Sequence, residues 1–295
     1  MQTVFKGKKI TGMLGILPEN VYEFDEETKN FPISRASRLK KVMGYGKRRR
    51  VKKDTTTSDL CLFGMKYLLD NGLLKKEEVG AIIVVTITPD YFIPHVSNII
   101  HGECGFDNDV ICIDIPQACT GLLVGLVEAC MLLEHMKDKK VVVLTGDVLC
   151  RKTVEVEVFE EPPFGGDAAT ITIVENDSDA EDIFCDLRMN GKERNCLIIP
   201  GGAFKFPIQN EGEKIDVGDG VLRAANQLNM DGSVVFNFVQ REIPPMIEEL
   251  MKFSGKNKDE IDWYLFHQPN KFMLQKLADK LEVPHDKMFM NVVEE

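Results

Sequence analysis

Cys119 and His267 are the side chains whose types and settings point to chemistry. Cys119 lies in "DIPQACTG" (Asp114–Gly121), where a β-branched apolar run beginning at Val110 breaks at Pro116 and restarts as a helix-like stretch. That pattern places a thiol at the carboxyl end of a strand and the amino end of a helix. Ligands of open α/β sheets bind outside the carboxyl ends of the strands. A helix amino end favours negative charge and so draws a thiol toward its nucleophilic thiolate, and backbone N–H groups of such a turn can hold an oxyanion. A nucleophilic cysteine also needs a base or an electrophilic partner. His267 ends the apolar run "IDWYLF" (Ile261–Phe266) and precedes Gln268-Pro269-Asn270, so it too stands where a strand gives way to a helix.

The bland alternatives are a cysteine that is only a small buried hydrophobe and a histidine that only caps or solvates. Cys61, Cys112, Cys130 and Cys150, set in apolar surroundings, read as the former. The other histidines are less well placed: His95 and His101 near a helix-like stretch, His135 at a helix end, and His285 in a loop after Pro284. Spacing alone does not join Cys119 and His267 in space.

The elements that must position them follow from periodicity. "AIIVVTI" (Ala81–Ile87), "DVICIDI" (Asp109–Ile115), "KKVVVLTG" (Lys139–Gly146) and "ATITIV" (Ala169–Val174) are short apolar runs, the pattern of parallel strands buried on both faces. Between them, "SDLCLFGMKYLLDNG" predicts a helix capped at Ser58 or Asp59, with Leu60, Phe63, Tyr67 and Leu68 at helical spacing and a stop at Asn71-Gly72. A second helix, Thr120 to Met136, follows Cys119 and completes a βαβ unit with the strand from Lys139. The alternation predicts an α/β fold. The second half repeats the theme faintly in "NCLIIPGG" (Asn195–Gly202), "IDWYLFHQPN", "KFMLQKLADKL" (Lys271–Leu281) and "KMFMNVV" (Lys287–Val293). "KKEEVGAIIVVTITPD" and "KNKDEIDWYLFHQPN" echo one another, each a charged lead, an apolar strand and a polar turn. With the acidic "ENDSDAEDI" (Glu175–Ile183) as linker, two halves are expected, residues 1–178 carrying the cysteine and 179–295 carrying the histidine.

Composition bounds the function. The 295 residues carry a net charge of −11, which opposes a nucleic-acid role despite the basic Arg48–Arg50. The eight cysteines include no C-x-x-C pair, which favours reduced thiols in a cytoplasmic protein over a disulfide framework or a zinc site. The opening segment has lysines and then an apolar run, but Gly12, Gly15 and Pro18 interrupt it, so it predicts a first strand and turn and no signal peptide or membrane span.

Six segments in order, "GMLGILPENV", "TPDYFIP" (Thr88–Pro94), "DIPQACTG", "GGDAATITIV" (Gly165–Val174), "NMDGSVVFNF" (Asn229–Phe238) and "WYLFHQPNKFML" (Trp263–Leu274), make the chain resemble beta-ketoacyl-acyl-carrier-protein synthase III. The resemblance runs through nearly the whole chain. It implies the thiolase-like α/β fold, two similar halves in layered α-β-α-β-α arrangement with the second incomplete, usually as a homodimer. It further implies that Cys119 accepts an acyl group from an acyl thioester, and that His267 assists loss of carbon dioxide from malonyl-ACP before the resulting carbanion attacks acyl-Cys119. No cofactor or metal is implied beyond the substrates, acyl-CoA or acyl-ACP and malonyl-ACP. The partners implied are acyl carrier protein and acyl-CoA, with no nucleic acid and no membrane.

By the same resemblance Asn270 lies near the pantetheine arm, and Phe92 and Ile93, with Pro94, shape the acyl pocket, partly across the dimer interface. The basic run "RLKKVMGYGKRRRVKK" (Arg38–Lys53), including Arg48, matches the mouth of the substrate tunnel, and Lys271 and Arg151 match further basic positions there. Two departures stand out. Relatives carry a tryptophan near that mouth, whereas the single tryptophan here is Trp263, which opens the choice between a CoA and a carrier-protein donor. The family's third catalytic residue, an asparagine in a Gly-Asn motif, belongs beyond Glu295, and Asn291 does not take its role. The expectation is weak or no condensation by these 295 residues, with acylation of Cys119 retained and turnover restored in a longer chain. Competing readings are a thiolase-fold acyltransferase acting on an oxygen, nitrogen or sulfur acceptor, and a non-catalytic partner subunit, although the latter has no need of both Cys119 and His267.

Overall fold

The computed structural model describes residues 1–29, 32–152, 165–208, 213–216 and 222–291. They form two compact units: one of Met1–Glu26, Lys47–Leu149 and Gly165–Leu187, the other of Glu27–Gly46, Cys150–Phe164 and Arg188–Glu295. Cys119 belongs to the first and His267 to the second.

The strands of the first unit are β1 (Gln2–Phe5), β2 (Lys8–Ile16), β3 (Asn20–Glu23), β4 (Lys47–Arg50), β5 (Val79–Val85), β6 (Ile111–Ile115), β7 (Lys140–Asp147), β8 (Ala168–Asn176) and β9 (Ile183–Asp186). Five of them make one sheet in the order β2-β8-β7-β5-β6. β7, β5 and β6 run parallel, as their apolar runs predict, but β8 is antiparallel to both β2 and β7. The expectation of a parallel strand at Ala169–Val174 is therefore corrected. Its all-apolar pattern records cover on both faces, and cover does not set direction.

That cover is visible in the period-two division of the core. Ile82, Val84, Val142 and Leu144 join one cluster with Leu60, Cys61, Met65 and Leu68 of the helix Thr57–Asp70. Ala81, Ile83, Val85, Val141 and Val143 join another with Val127, Ala129, Cys130 and Leu133 of the helix Gly121–Leu133. Successive residues of a strand point to opposite faces, so each strand feeds both layers. β6 departs from the doubly buried reading, because among the described residues it borders β5 alone and Ile111 is 40% exposed.

The helix Thr57–Asp70 begins one cap earlier than expected. The Asp59 carboxylate accepts the Thr56 N–H at 2.8 Å, so Thr56 is the cap and Ser58 lies inside the first turn. It ends where expected, at Asn71 and Gly72, the latter at φ +66°. Phe63 and Tyr67, at core spacing, instead face outward. The opening segment forms two strands, split at Gly7 (φ +59°), with β1 pairing β9 and β2 entering the main sheet. The acidic Glu175–Ile183 stretch joins β8 to β9 within the first unit.

In the second unit the helix Lys271–Leu281 buries Leu274, Leu277, Ala278 and Leu281 against Tyr264, Val283 and Met288, with Ile243, Ile247 and Met251 of the helix Gly232–Ser254 packed alongside. The echo in the sequence has a structural counterpart. Glu78 accepts the Lys75 N–H at 3.3 Å ahead of β5, and Glu260 accepts the Asn257 N–H at 2.8 Å ahead of Ile261. β5 then pairs parallel with β6 across an intervening helix, as Tyr264 bridges in parallel to Met288 across Lys271–Leu281. The strand expected over Ile261–Phe266 is reduced to that bridge, while Val292 and Val293 of the last expected strand lie outside the described residues.

Candidate active site

The loop carrying Cys119 is fixed at both ends. Asp114, on β6, accepts the Val96 N–H at 2.8 Å and the Ser97 N–H at 2.9 Å, capping the helix Val96–Cys104. One residue on, the Ile115 carbonyl takes the Thr86 N–H at 3.2 Å and the Gln117 N–H at 2.8 Å, turning the chain at Pro116. The Gly121 N–H reaches the Ala118 carbonyl at 2.8 Å and begins the next helix. That helix lies close on the sheet because Gly121 and Gly125 have no side chains. A Cβ on Gly125 would come within 2.9 Å of Val143 Cγ1. Cys119 is held between these anchors and is the only exposed residue among the eight cysteines.

The electrostatics correct one expectation. The helix amino end should draw the Cys119 thiol toward thiolate, and its own backbone N–H does pull that way. Loss of water around the sulfur outweighs this, and the Asp147 carboxylate adds to it, so the thiol is held above its ordinary value. The buried thiols stand further from ionisation still: burial pushes Cys61 up to about 12 and Cys130 up to about 11. Cys61 and Cys130, with Cys150, are the buried hydrophobes their surroundings predict, whereas Cys112 on the edge strand β6 is only half-buried.

His267 is held by its neighbour. The Gln268 amide donates to the Phe266 carbonyl at 3.0 Å and to the Phe289 carbonyl at 3.0 Å, while its oxygen accepts the Asn291 N–H at 3.3 Å. The segment carrying His267 is thereby tied to Phe289–Asn291, and Asn291 acts through its backbone. Desolvation holds the imidazole below its ordinary value, which favours the neutral ring. Asn270 caps the helix Lys271–Leu281, its Oδ1 accepting the Met273 N–H at 2.8 Å. His267, Asn270 and Lys271 therefore share one turn of the second unit.

The basic run Arg38–Lys53 is divided. Arg38, Lys40 and Lys41 lie on the helix Ile33–Met43 of the second unit, and β4 carries Lys47 to Arg50 in the first. Arg48 is only 9% exposed and donates to the Gly165 carbonyl at 3.3 Å. Arg49 donates to the Pro18 carbonyl at 2.9 Å, and Arg50 lies over the Tyr22 ring at 4.8 Å. These arginines brace β3 and β4. Phe92 and Ile93 stand exposed in the loop before the helix Val96–Cys104, and Arg151, in the second unit, lies in the 3₁₀ turn Leu149–Lys152. Gln268, Gly121 and Asp147 are the residues that reading the sequence missed. Gln268 and Gly121 adjoin the reactive motifs, whereas only the folded sheet brings Asp147 into play. Among the described residues no group of three or more His, Cys, Asp or Glu side chains is arranged to hold a metal, and no helix is long and apolar enough to cross a membrane.

A strand-to-helix loop bearing an exposed cysteine on a mixed sheet, echoed by a second unit with a histidine at the matching turn, is the design of thiolase-like enzymes. The crystal structure of a 3-oxoacyl-(acyl-carrier protein) synthase from Burkholderia xenovorans LB400 superposes with a TM-score of 0.89 at 26% identity, over 99% of this chain and 82% of that one. OleA of Xanthomonas campestris shares the fold, with a TM-score of 0.79 at 17% identity. The model of the 3-oxoacyl-[acyl-carrier-protein (ACP)] synthase III C-terminal family matches residues 251–295. A Campylobacter jejuni protein provisionally named 3-oxoacyl-[acyl-carrier-protein] synthase 3 is 30% identical over 294 residues, 98% of this chain and 82% of its own. Beta-ketoacyl-[acyl-carrier-protein] synthase III of Latilactobacillus sakei is 30% identical over 83% of this chain and 73% of its own. The chain belongs to the beta-ketoacyl-acyl-carrier-protein synthase III family of condensing enzymes.

Proposed function

We propose that Cys119 and His267 carry the family's decarboxylating condensation here. The reading rests above all on Cys119, the one exposed thiol, set at the β6-to-helix loop. Its sulfur attacks the carbonyl carbon of an acyl thioester; the new S–C bond replaces the donor's, and the departing thiolate takes up the Cys119 proton. Malonyl-ACP then loses carbon dioxide, and the bonding pair passes into an enolate on the thioester. A neutral His267 donates an N–H to that oxygen without first giving up a charge, which suits its depressed pKa. The enolate carbon attacks the acyl carbonyl on Cys119, forms the new C–C bond and expels the sulfur, which regains a proton.

The substrates supply both reacting thioesters, so this scheme calls for no further cofactor. Asn270, with its Oδ1 engaged in capping, offers its Nδ2 to the pantetheine arm, and Lys271 and Arg151 offer charge to a phosphate or an acidic carrier protein. Phe92 and Ile93 are proposed for the acyl pocket. A homodimer is supported by the exposed edge of β6 and by the helix Gly121–Leu133, whose one charged residue is Glu128 and which leaves Leu123 and Met131 exposed. We place the protein in the cytoplasm on its eight cysteines, which include no C-x-x-C pair and suit a reducing compartment.

Intact-protein mass spectrometry after incubation with a panel of acyl-CoA and acyl-carrier-protein donors tests the first half of the scheme. An acyl-sized mass gain that Cys119→Ala abolishes is expected. A gain that survives the substitution would refute the assignment of the nucleophile.

A further inference from the structure

The helix Val96–Cys104 does not cap itself. His95, at its N-cap, gives no side-chain bond to the first turn. The Val96 N–H goes instead to Asp114 Oδ2 at 2.8 Å, and the Ser97 N–H to Asp114 Oδ1 at 2.9 Å, 18 and 17 residues further along the chain. Other helices draw their caps from their own sequence: Thr56 with Asp59 for Thr57–Asp70, Asp231 for Gly232–Ser254 and Asn270 for Lys271–Leu281. A residue of the usual capping type at position 95 would stabilise the helix as well. What the remote carboxylate adds is a charge-assisted link between two chain segments. Val96 and Ser97 are fully buried, so water cannot take the place of that link.

The segments so linked are the two that matter to the site. Asp114 stands near the end of β6, a short step before Cys119. Its neighbour Ile115 accepts the Thr86 N–H at 3.2 Å and, at 2.8 Å, the N–H of Gln117 in the Cys119 loop. The stretch from Thr86 to Ser97 is thus fastened at both ends to consecutive residues of the strand that delivers Cys119. Within it Asp90 makes a further anchor, accepting Ser58 N at 3.0 Å, Ser58 Oγ at 2.6 Å and Thr56 Oγ1 at 2.7 Å. Between Asp90 and Val96 lies an apex whose Tyr91, Phe92 and Ile93 are exposed. Phe92 and Ile93 are the side chains proposed for the acyl pocket, so pocket loop and cysteine loop depart from one fixed point.

We infer that Asp114 is a positioning residue that holds the Phe92–Ile93 loop in register with Cys119 and so sets which acyl chains meet the sulfur in productive alignment. The inference rests on the proposed roles of Cys119, Phe92 and Ile93. Loss of this cap frees one end of the pocket loop, whereas loss of the cap on a self-capped helix leaves both of its ends tied.

The test compares alkylation of Cys119 by N-octyliodoacetamide and by iodoacetamide, read by peptide mass spectrometry and expressed as the ratio of the two rates, with free cysteine as reference. A pocket aligned with the sulfur makes the wild-type ratio differ from that of free cysteine. Asp114→Ala should return the ratio toward free cysteine by at least about threefold. Asp114→Asn, which keeps an acceptor of the same reach, should stay within about twofold of the wild type. If the alanine variant fails to fold, Asp114→Ser, whose one oxygen cannot take both N–H groups in the same way, reads the same shift. Asp231→Ala removes a cap of the same kind, on Ser233 N and Val234 N, and should leave the ratio unmoved, because a general loss of stability affects both reagents alike. A wild-type ratio equal to free cysteine's, an unmoved ratio in Asp114→Ala, or an equal shift in Asp231→Ala overturns the inference. Phe92→Ala separates it from the reading beneath it. A ratio unmoved in that variant refutes the pocket and the inference together, whereas a shift there without one in Asp114→Ala refutes the inference alone. Alkylation needs no acyl donor, so a failure of acyl loading counts against the proposed function only.

Discussion

A Cβ placed on Gly121 would lie 2.2 Å from Cγ1 of Val85, far inside any distance two carbon atoms tolerate. The helix after Cys119 can begin at that height over β5 only because residue 121 has no side chain. Gly125, one turn on, repeats the device against Val143 at 2.9 Å. Gly121→Ala is therefore expected to push the helix start off the sheet, destabilising the fold by about 1–3 kcal/mol as overpacked cores are. Because the shift falls two residues after Cys119, acyl loading of that residue should fall with it. Thermal denaturation and the mass-gain assay check both, and a variant with wild-type melting and loading would show that the site gives way freely.

The exposed flank of the first unit makes a second prediction. Leu123 is 60% exposed on a largely apolar helix, and Ile111 of the edge strand β6 is itself open to water. If a second copy covers this flank, Leu123→Glu buries a charge at the interface and should convert a dimer into monomers. Light scattering coupled to size-exclusion chromatography distinguishes the two. A wild-type monomer, or a variant dimer of unchanged stability, would remove this flank from the assembly.

Much of this site was legible in the sequence because strand and helix periods change at it. The apolar run to Ile115, the break at Pro116 and the restart at Gly121 located the loop, and the parallel order of β5, β6 and β7 followed from their composition. The direction of β8 was not legible, since burial on both faces is common to either direction. Nor was the fate of Arg48, whose charge suggested a ligand but whose side chain is taken up by the Gly165 carbonyl 117 residues away. Cys119 shows the same limit in electrostatic form: its place at a helix start could be read, but the opposing effects of lost water and of Asp147 depend on neighbours that only folding assembles.

Gln268 offers a third test, because one amide ties together Phe266, Phe289 and Asn291. Gln268→Leu keeps much of the volume and removes all three hydrogen bonds, leaving backbone groups without partners. Two of these bonds lie at exposed positions where water can replace the lost partner, so the loss should be nearer the net worth of one hydrogen bond, about 0.5–1.5 kcal/mol. Decarboxylation of malonyl-ACP should fall while acylation of Cys119 persists, since the clamp adjoins His267 and not the cysteine loop. Equal loss of both half-reactions would instead point to general unfolding.

His267 itself supplies the last prediction, through pH. Desolvation holds its imidazole below the ordinary 6.5, so the neutral ring prevails at pH 7 and above. Carbon dioxide release from malonyl-ACP should therefore be level from about pH 7 to 8 and decline only on acidification below the ordinary value, as protonation commits the ring to a charge before the enolate forms. The linkage has the same sign. As pH falls through 6.5 the unfolded chain takes up a proton that the folded chain still refuses, so stability is lost on the acid side and unaffected above it. His267→Ala should abolish carbon dioxide release, leave the acyl mass gain at Cys119 intact and flatten that part of the acid limb of the melting curve. Carbon dioxide release undiminished in this variant would assign the decarboxylating role to another residue.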